Sequence, residues 1–333
     1  MLYRCDSCGY SMEYDPDKKA LVCPQCGRTQ KDMPAAQTSS RHGECPTCGA
    51  AFEGAENRLV YQCAYCGSWM TVEENFANPC APKRITPFAF GKKGAREKIR
   101  GAFDQIPFLP ASFLRDPDGK DIEALYAPFW IYRIDGSGIY HFEGEKQKST
   151  KSGRTTTTYH DVFDIQRSVH AVFRQVPVDA MNSLEDDTID AALPYDSSQS
   201  VEMDPVYLSG TNAYLPDKPM EEKEYLIRAR NWTLESMDEH EKDLTKGYVG
   251  IKTKQHERSV EVDSSRSEGV LLPVYRYTYK GFGSHKIYMN GVSGRMSGDA
   301  PCDKGRVLVH YLIESVCTVV SAAAIIGIIG VLL

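Results

Sequence analysis

The 333-residue sequence lacks the short motifs that mark the common classes of enzyme. It contains no nucleotide-binding P-loop, no G-x-G-x-x-G after a strand, and no H-E-x-x-H metalloprotease helix. No G-x-S-x-G nucleophile elbow is present, the eight histidines are scattered, and no pair of acidic residues stands out as catalytic. We therefore expect that this protein is not an enzyme.

The chain also lacks a secretory signal and a strong excess of charge of either sign. Without a secretory signal, no oxidising compartment is implied, so the eleven cysteines are not expected to form a disulfide framework. Charged residues make up 25% of the sequence and the formal net charge is −6, which is typical of a globular protein and not of a disordered one.

Eight of the eleven cysteines form four C-x-x-C knuckles near the N-terminus. The two knuckles of each pair are separated by 14 residues, and the whole unit repeats after 40 residues. Four thiolates at this spacing can surround one Zn²⁺ tetrahedrally, and the glycine after each second cysteine lets the backbone curl around the sulfur. We predict one structural zinc ion held by Cys5, Cys8, Cys23 and Cys26, and a second held by Cys45, Cys48, Cys63 and Cys66.

A disulfide framework is the alternative interpretation of these cysteines, and the missing secretory signal speaks against it. Each ribbon is too short to bury a core of its own, so the metal must supply the folding free energy, roughly 10–16 kcal/mol per site. Four protein ligands close the site and leave no position for a catalytic water. The motif therefore predicts a structural metal.

Zinc ribbons often bind nucleic acid, but the charge of this pair does not favour it. Residues 1–80 contain seven basic and ten acidic residues, a net charge of −3. Two Zn²⁺ bound by eight thiolates would lower that charge to about −7, whereas binding to phosphate backbones depends on Lys and Arg. We expect the ribbons to contact a protein instead, through aromatic and aliphatic side chains. The proposed contacts are Tyr10, Met12, Tyr14, Phe52, Met70 and above all Trp69 as an anchor.

The C-terminus is a long apolar run. From Val316 to Leu333 there is no charged residue, and a helix of this length spans about 27 Å, close to the roughly 30 Å hydrocarbon core of a bilayer. We predict one C-terminal transmembrane helix, a tail anchor within 307–333. A buried helix of a soluble core is the alternative, although such a helix is rarely apolar on every face.

The residues around this run predict its orientation and a way for it to associate. Lys304 and Arg306 precede it, so the positive-inside rule places the N-terminal bulk in the cytoplasm, with a single pass through the cytoplasmic membrane. Ala323 and Gly327 form a small-xxx-small pair that could seat another helix in a homo- or hetero-oligomer.

The region between the ribbons and the tail is predicted to be α+β with an antiparallel sheet. Helices are predicted for "KKGAREKIRGAF" and for 219–244, and strands for the aromatic segments that begin near Pro128 and Pro273. These two segments match at an offset of 145 residues, which suggests two related β units, with chance similarity as the alternative. The predicted domains are 1–40 (zinc ribbon 1), 41–80 (zinc ribbon 2), 81–306 (α+β cytoplasmic domain) and 307–333 (transmembrane tail anchor).

The chain contains, in order, two "CxxCG" ribbons, the strands "APFWIY" and "LPVYRYTY", the segment "YMNGVSGRMSGDAP" and an apolar tail. This order of parts resembles a prokaryotic family of TFIIB-type double zinc-ribbon membrane proteins. Similar proteins in envelope-stress operons accompany a phage shock protein A homologue and an SPFH or virion-core-like protein. The resemblance therefore implies an adaptor that recruits a protein partner.

Two functions of different classes remain open from the sequence. The first is a membrane-anchored zinc-ribbon adaptor that docks cytoplasmic partners, such as a phage shock protein A-like or SPFH/virion-core-like protein, in envelope stress. The second is a membrane-tethered nucleic-acid-binding or transcription-related protein, which the acidic ribbons disfavour. Seven basic residues between Lys83 and Arg100 could also contact anionic lipid, although a solvated helix face is the favoured interpretation.

Overall fold

The structure is a computed structural model of the whole chain. Its N-terminal part is two small ribbons with four cysteines each, and the remainder is built on one large sheet whose long strands pair antiparallel. The residues that it describes are 3–31, 38–39, 42–45, 47–53, 57–104, 106–110, 112–115, 121–182, 185–280 and 284–332.

The ribbons consist of short strands that run into and out of the cysteine knuckles. In the first ribbon β1, β2 and β3 form one antiparallel sheet, and in the second β4, β8 and β7 form a sheet beside the pair β5–β6. The bounds are β1 Glu13–Asp15, β2 Ala20–Val22, β3 Thr29–Gln30, β4 Thr38–Ser39, β5 His42–Glu44, β6 Ala51–Glu53, β7 Val60–Gln62 and β8 Trp69–Val72.

The large sheet has the strand order β11-β10-β14-β15-β16, and three short strands pair along its base. Two of its strands are 31 residues long, far longer than the usual five or six. The bounds are β9 Arg84–Ile85, β10 Ile122–Ser152, β11 Thr155–Asp179, β12 Val201–Glu202, β13 Asn212–Ala213, β14 Val249–Tyr279, β15 His285–Asn290 and β16 Met296–Gly298.

Both helices predicted for the middle of the chain are confirmed. The segment "KKGAREKIRGAF" is one helix that buries Ala95 and Ile99, and the helix predicted over 219–244 is two helices separated at His240. The bounds are α1 Glu73–Phe76, α2 Lys92–Phe103, α3 Asp186–Ala192, α4 Lys223–Glu239, α5 Glu241–Leu244 and α6 Lys304–Leu332, with 3₁₀ turns at Ser197–Gln199 and Pro205–Leu208.

The two aromatic segments that match at an offset of 145 residues lie side by side in this sheet. They belong to β10 and β14, which pair antiparallel, with Tyr126 opposite Pro273 and Ala124 opposite Tyr275. The predicted antiparallel α+β organisation of the middle region is thus present as one continuous sheet, in which side chains at alternate positions share a face.

Near its base the sheet is covered on both faces. One face packs against α2 and the two ribbons, and the other packs against α3. Beyond the base, α4 covers one face only. Because both faces are buried at the base, β10 is a continuous apolar run there and begins to alternate only after Tyr132.

A hairpin turn that begins at Asn290-Gly291 joins β15 to β16, and Asn290 holds this turn together. This side chain is 4% exposed, and its Oδ1 accepts from the N–H groups of Val292 (2.8 Å) and Ser293 (2.9 Å). Its Nδ2 donates to the carbonyl of Ala192 (2.9 Å), at the end of α3. The side-chain amide of Asn290 therefore links the turn to α3 through hydrogen bonds.

We expect Asn290→Ala to destabilise the protein by about 2 kcal/mol, because it leaves a buried carbonyl and two backbone donors without partners. Urea unfolding followed by circular dichroism measures the loss. A change below about 0.5 kcal/mol, the range of ordinary surface substitutions, would contradict this role.

The predicted transmembrane tail is contradicted by the structure. Among the described residues, no helix is both long and apolar enough to cross a lipid bilayer. The run from which the span was predicted has 18 residues, at the short end of spanning lengths, and it continues a helix that begins with Lys304 and Arg306. Further along α6, Nε2 of His310 lies 3.0 Å from Oε1 of Glu314. The tail anchor over 307–333, and the single-pass location in the cytoplasmic membrane that rested on it, are therefore corrected.

Candidate metal centres

The four C-x-x-C knuckles share one backbone conformation. In the first, the N–H of Cys5 donates to the carbonyl of Tyr10 (2.9 Å), and the N–H of Gly9 donates to the carbonyl of Cys5 (2.8 Å). The same two bonds recur in the other three knuckles. Each requires a positive φ at the residue after the second cysteine, which only glycine adopts without strain. These residues are Gly9, Gly27, Gly49 and Gly67, with φ of +73°, +75°, +73° and +71°.

In the first ribbon the two knuckles face each other and bring four sulfur atoms together. The Sγ of Cys8 lies 3.4 Å from that of Cys23 and 3.7 Å from that of Cys26, and the Sγ atoms of Cys5 and Cys26 are 3.6 Å apart. A zinc–sulfur bond is about 2.3 Å, so two sulfurs of one tetrahedral site should lie about 3.8 Å apart. The cluster therefore has nearly the size that a Zn²⁺ ion requires.

The second ribbon repeats this arrangement. The Sγ atoms of Cys45 and Cys66 are 3.7 Å apart, and those of Cys48 and Cys63 are 3.8 Å apart. In both clusters all four sulfurs lie within 4.8 Å of one another, and none of these eight described cysteines is in a disulfide. The structure thus brings together each predicted set of four ligands, and both sets fit a tetrahedral zinc ion.

Local hydrogen bonds lower the pKa of one thiol in each cluster. Burial raises the pKa of the Cys5 thiol, but the backbone N–H groups of Cys8 and Ser7 outweigh it, and the pKa falls to about 7. At Cys66 burial is opposed in the same way by the hydroxyl and the N–H of Ser68, and the pKa falls to about 6. Each cluster therefore contains a thiol that loses its proton readily, as a zinc ligand must.

Two ligands of each cluster lie in the interior and two lie towards the surface. Cys5, Cys23, Cys45 and Cys63 are buried, and their partners in each knuckle are exposed or half-buried. The metal would sit at the edge of each ribbon with all four positions filled by protein. Such an ion holds the fold together and has no open position for a substrate.

Three of the six side chains that we expected to contact a partner lie in the interior, and two others, Tyr10 and Tyr14, are half-buried. Trp69 is only 7% exposed, Met12 and Met70 are fully buried, and the side chain of Phe52 lies outside the described residues. The N–H of Trp69 donates to Oγ of Ser11 (3.3 Å) in the other ribbon. Trp69 therefore joins the two ribbons to each other, and its predicted role as an exposed anchor is wrong.

Both ribbons are also bonded to the base of the large sheet. The N–H of Tyr14 donates to the carbonyl of Ser209, and the N–H of Leu59 donates to the carbonyl of Ala213, both at 2.9 Å. A single apolar cluster runs from both ribbons into the base. Sequence reasoning missed this docking because the paired residues are far apart in the chain and no local pattern connects them.

Comparison with known proteins does not assign the chain to a family. The chain matches no protein-family model, and no solved structure matches it. It is similar to the uncharacterized protein YdjG of Bacillus subtilis (strain 168), with 23% identity over 320 residues that cover 93% of this chain and 92% of the relative. The similarity therefore extends over nearly the full length of both proteins.

Proposed function

We propose that this protein is an adaptor without catalytic activity, in which two structural zinc ions hold the ribbons in shape and an extended β arm binds a partner protein. The observation that carries the proposal is the arm. It consists of residues 134–152 of β10, 155–173 of β11 and 249–262 of β14, which extend the large sheet beyond its base.

The arm is longer than the packing of this chain requires. The 31 residues of β10 would extend up to about 100 Å at 3.3 Å per residue. Its last residues, from Lys146, pair only with β11 and are mostly exposed. A hairpin that buries so little apolar surface contributes little to the stability of its own chain, which supports a role in binding another molecule.

The outer edge of the arm is open to pairing. Within the described part of the sheet, β11 has a neighbouring strand on one side only, so a row of N–H and C=O groups faces outward over its 25 residues. Such an edge can accept an additional strand from another protein. Apolar side chains are exposed along it: Tyr159 (57%), Val162 (62%), Phe163 (38%) and Val172 (40%).

The proposed partners come from the family resemblance. A phage shock protein A-like protein and an SPFH or virion-core-like protein are the candidates, within the envelope-stress response. The double TFIIB-type ribbon is the residue pattern that supports this assignment, together with two four-cysteine clusters of the size that zinc requires. Both candidates are proteins, in agreement with the acidic charge of the ribbons.

The test measures binding of the purified full chain to these two proteins from the same genome. We expect Val162→Lys/Val172→Lys to weaken binding at least about tenfold, because it replaces two exposed apolar contacts on the arm with charges. The matched control is Val201→Lys/Ile227→Lys. These side chains are 39% and 47% exposed, belong to none of the three arm segments, and receive the same added charge.

Biolayer interferometry on the wild type and both variants separates the outcomes. Weak binding by the arm variant alone supports the proposal. Equal losses in the two variants would mean that added charge, and not the arm, is responsible. If neither candidate binds the wild-type chain, the proposed partners are rejected.

A further inference from the structure

A cleft lies where the first ribbon meets the base of the large sheet. We call it the ribbon cleft and define it by Glu13, Tyr14 and Asp17 of the first ribbon, Lys92 of α2, Tyr207 and Tyr275. Its volume is about 270 Å³. Pockets that take whole small molecules usually measure about 300–1,000 Å³, so this one is suited to a single long side chain.

The ribbon wall of the cleft carries three carboxylates, and two of them are already engaged. Asp15 accepts from the N–H groups of Asp17 (2.9 Å) and Lys18 (3.3 Å), and Asp17 accepts from the N–H of Gly91 (3.2 Å). Among the described residues no hydrogen bond or ion pair engages the carboxylate of Glu13. That group is therefore free to bind a cation.

Close backbone contact holds Glu13 in place. Gly210 has φ of +87°, and a Cβ atom there would lie 2.8 Å from Cβ and 2.9 Å from Cγ of Glu13. Only glycine allows this approach and this conformation. The stem of Glu13 is thus pressed against the sheet base, and Glu13 lines the cleft.

The remaining surface of the cleft is aromatic. Tyr14 and Tyr207 meet edge to face with ring centroids 5.0 Å apart, and Phe88 and Tyr275 lie 4.6 Å apart. Aromatic faces next to a carboxylate attract ammonium and guanidinium groups, whose stems pack against the rings. The combination favours a lysine or arginine side chain over an anion.

We propose that the ribbon cleft receives a lysine or arginine side chain of the partner protein, with its cationic group bound by Glu13 and its stem packed on Tyr14 and Tyr207. This inference rests on the proposed function, since it supplies a second contact to the same partner. Lys92 and Lys93, on the opposite wall, weaken the attraction of the cleft for a cation. Removing the charge of Lys92 should therefore strengthen binding, whereas removing the charge of Glu13 should weaken it.

The probes are the peptides acetyl-Gly-Arg-Gly-amide and acetyl-Gly-Lys-Gly-amide, with Gln and Glu versions as neutral and acidic controls. Titration of the ¹⁵N-labelled full chain follows the amides of Gly91 and Gly210. We expect the Arg and Lys peptides to shift both signals and the Gln and Glu peptides to leave them unchanged. Glu13→Gln should weaken binding of the Arg peptide about fivefold, and Lys92→Gln should strengthen it.

The matched control is Glu97→Gln, the same change of charge at an exposed position of α2 outside the cleft. It should leave the affinity unchanged, and equal zinc contents show that the variants are intact. Equal affinities for the Arg and Gln peptides would overturn the proposal. So would stronger binding of the Arg peptide to Glu13→Gln together with weaker binding to Lys92→Gln. The peptides take the place of the partner protein, so this result does not depend on the arm experiment. A failure of the cleft proposal can therefore be distinguished from a failure of the proposed function.

Discussion

Replacing Cys23 with serine should remove one of two zinc ions and release the first ribbon from the sheet. Cys23 is 1% exposed and belongs to the apolar cluster that includes Met12, Leu21 and residues of the sheet base. A structural zinc ion contributes about 10–16 kcal/mol in isolated ribbons, as much as the whole stability of an ordinary domain. The ribbon has too little core to remain folded without it.

Metal analysis of the full chain should fall from two zinc ions per chain to one, and hydrogen exchange should show loss of protection in β1 and β2. Cys80→Ser is the matched control, because Cys80 is half-buried and belongs to neither cluster. It should retain both ions. Two zinc ions in Cys23→Ser, or fewer than two in the wild type, would contradict the assignment of ligands.

Trp69→Ala should destabilise the protein by about 3–5 kcal/mol, the usual cost of removing a buried tryptophan. The side chain is 7% exposed and packs in the cluster shared by the ribbons and the sheet base. The second ribbon should separate from the first, because the indole packs in the apolar cluster that both ribbons share. The hydrogen bond to Ser11 comes from the main-chain N–H of residue 69 and is kept in the alanine variant. Thermal unfolding of the zinc-loaded protein measures the loss.

Tyr65→Ala serves as the control for this experiment. Tyr65 lies on the same ribbon and is 81% exposed, so its removal should change stability by no more than about 0.5 kcal/mol. An unchanged unfolding temperature in Trp69→Ala, with weaker binding to a partner, would restore the interpretation of Trp69 as an exposed contact. The burial of this side chain argues for the opposite result.

The sequence by itself was enough to identify the two four-cysteine clusters and the main helices. Thiolate ligands and knuckle glycines are set by spacing within about 25 residues, so each four-cysteine cluster could be predicted locally, from Cys5 to Cys26 and from Cys45 to Cys66. The helix α2 and the hairpin at Asn290 are also local, because apolar periodicity and turn chemistry act over a few residues.

Only the tertiary structure decided which surfaces are buried and which are open. The sequence allowed Trp69 to be interpreted as a contact for a partner, yet it packs inside, because the ribbons dock on a sheet formed by residues far along the chain. Met70 is buried within its own ribbon, against Cys45 and Cys63. The apolar C-terminal run was likewise compatible with a span, whereas no described helix meets the requirements for one.

The ribbon cleft has the same origin. Glu13, Lys92, Tyr207 and Tyr275 come from four distant parts of the chain, and no local pattern connects them. The spacing of residues can predict a site whose ligands all lie within one short segment, such as a site of four cysteines. A cleft between two units exists only after long-range pairing and apolar burial have brought its walls together, which a sequence pattern with a period of about 2 or 3.6 residues does not encode.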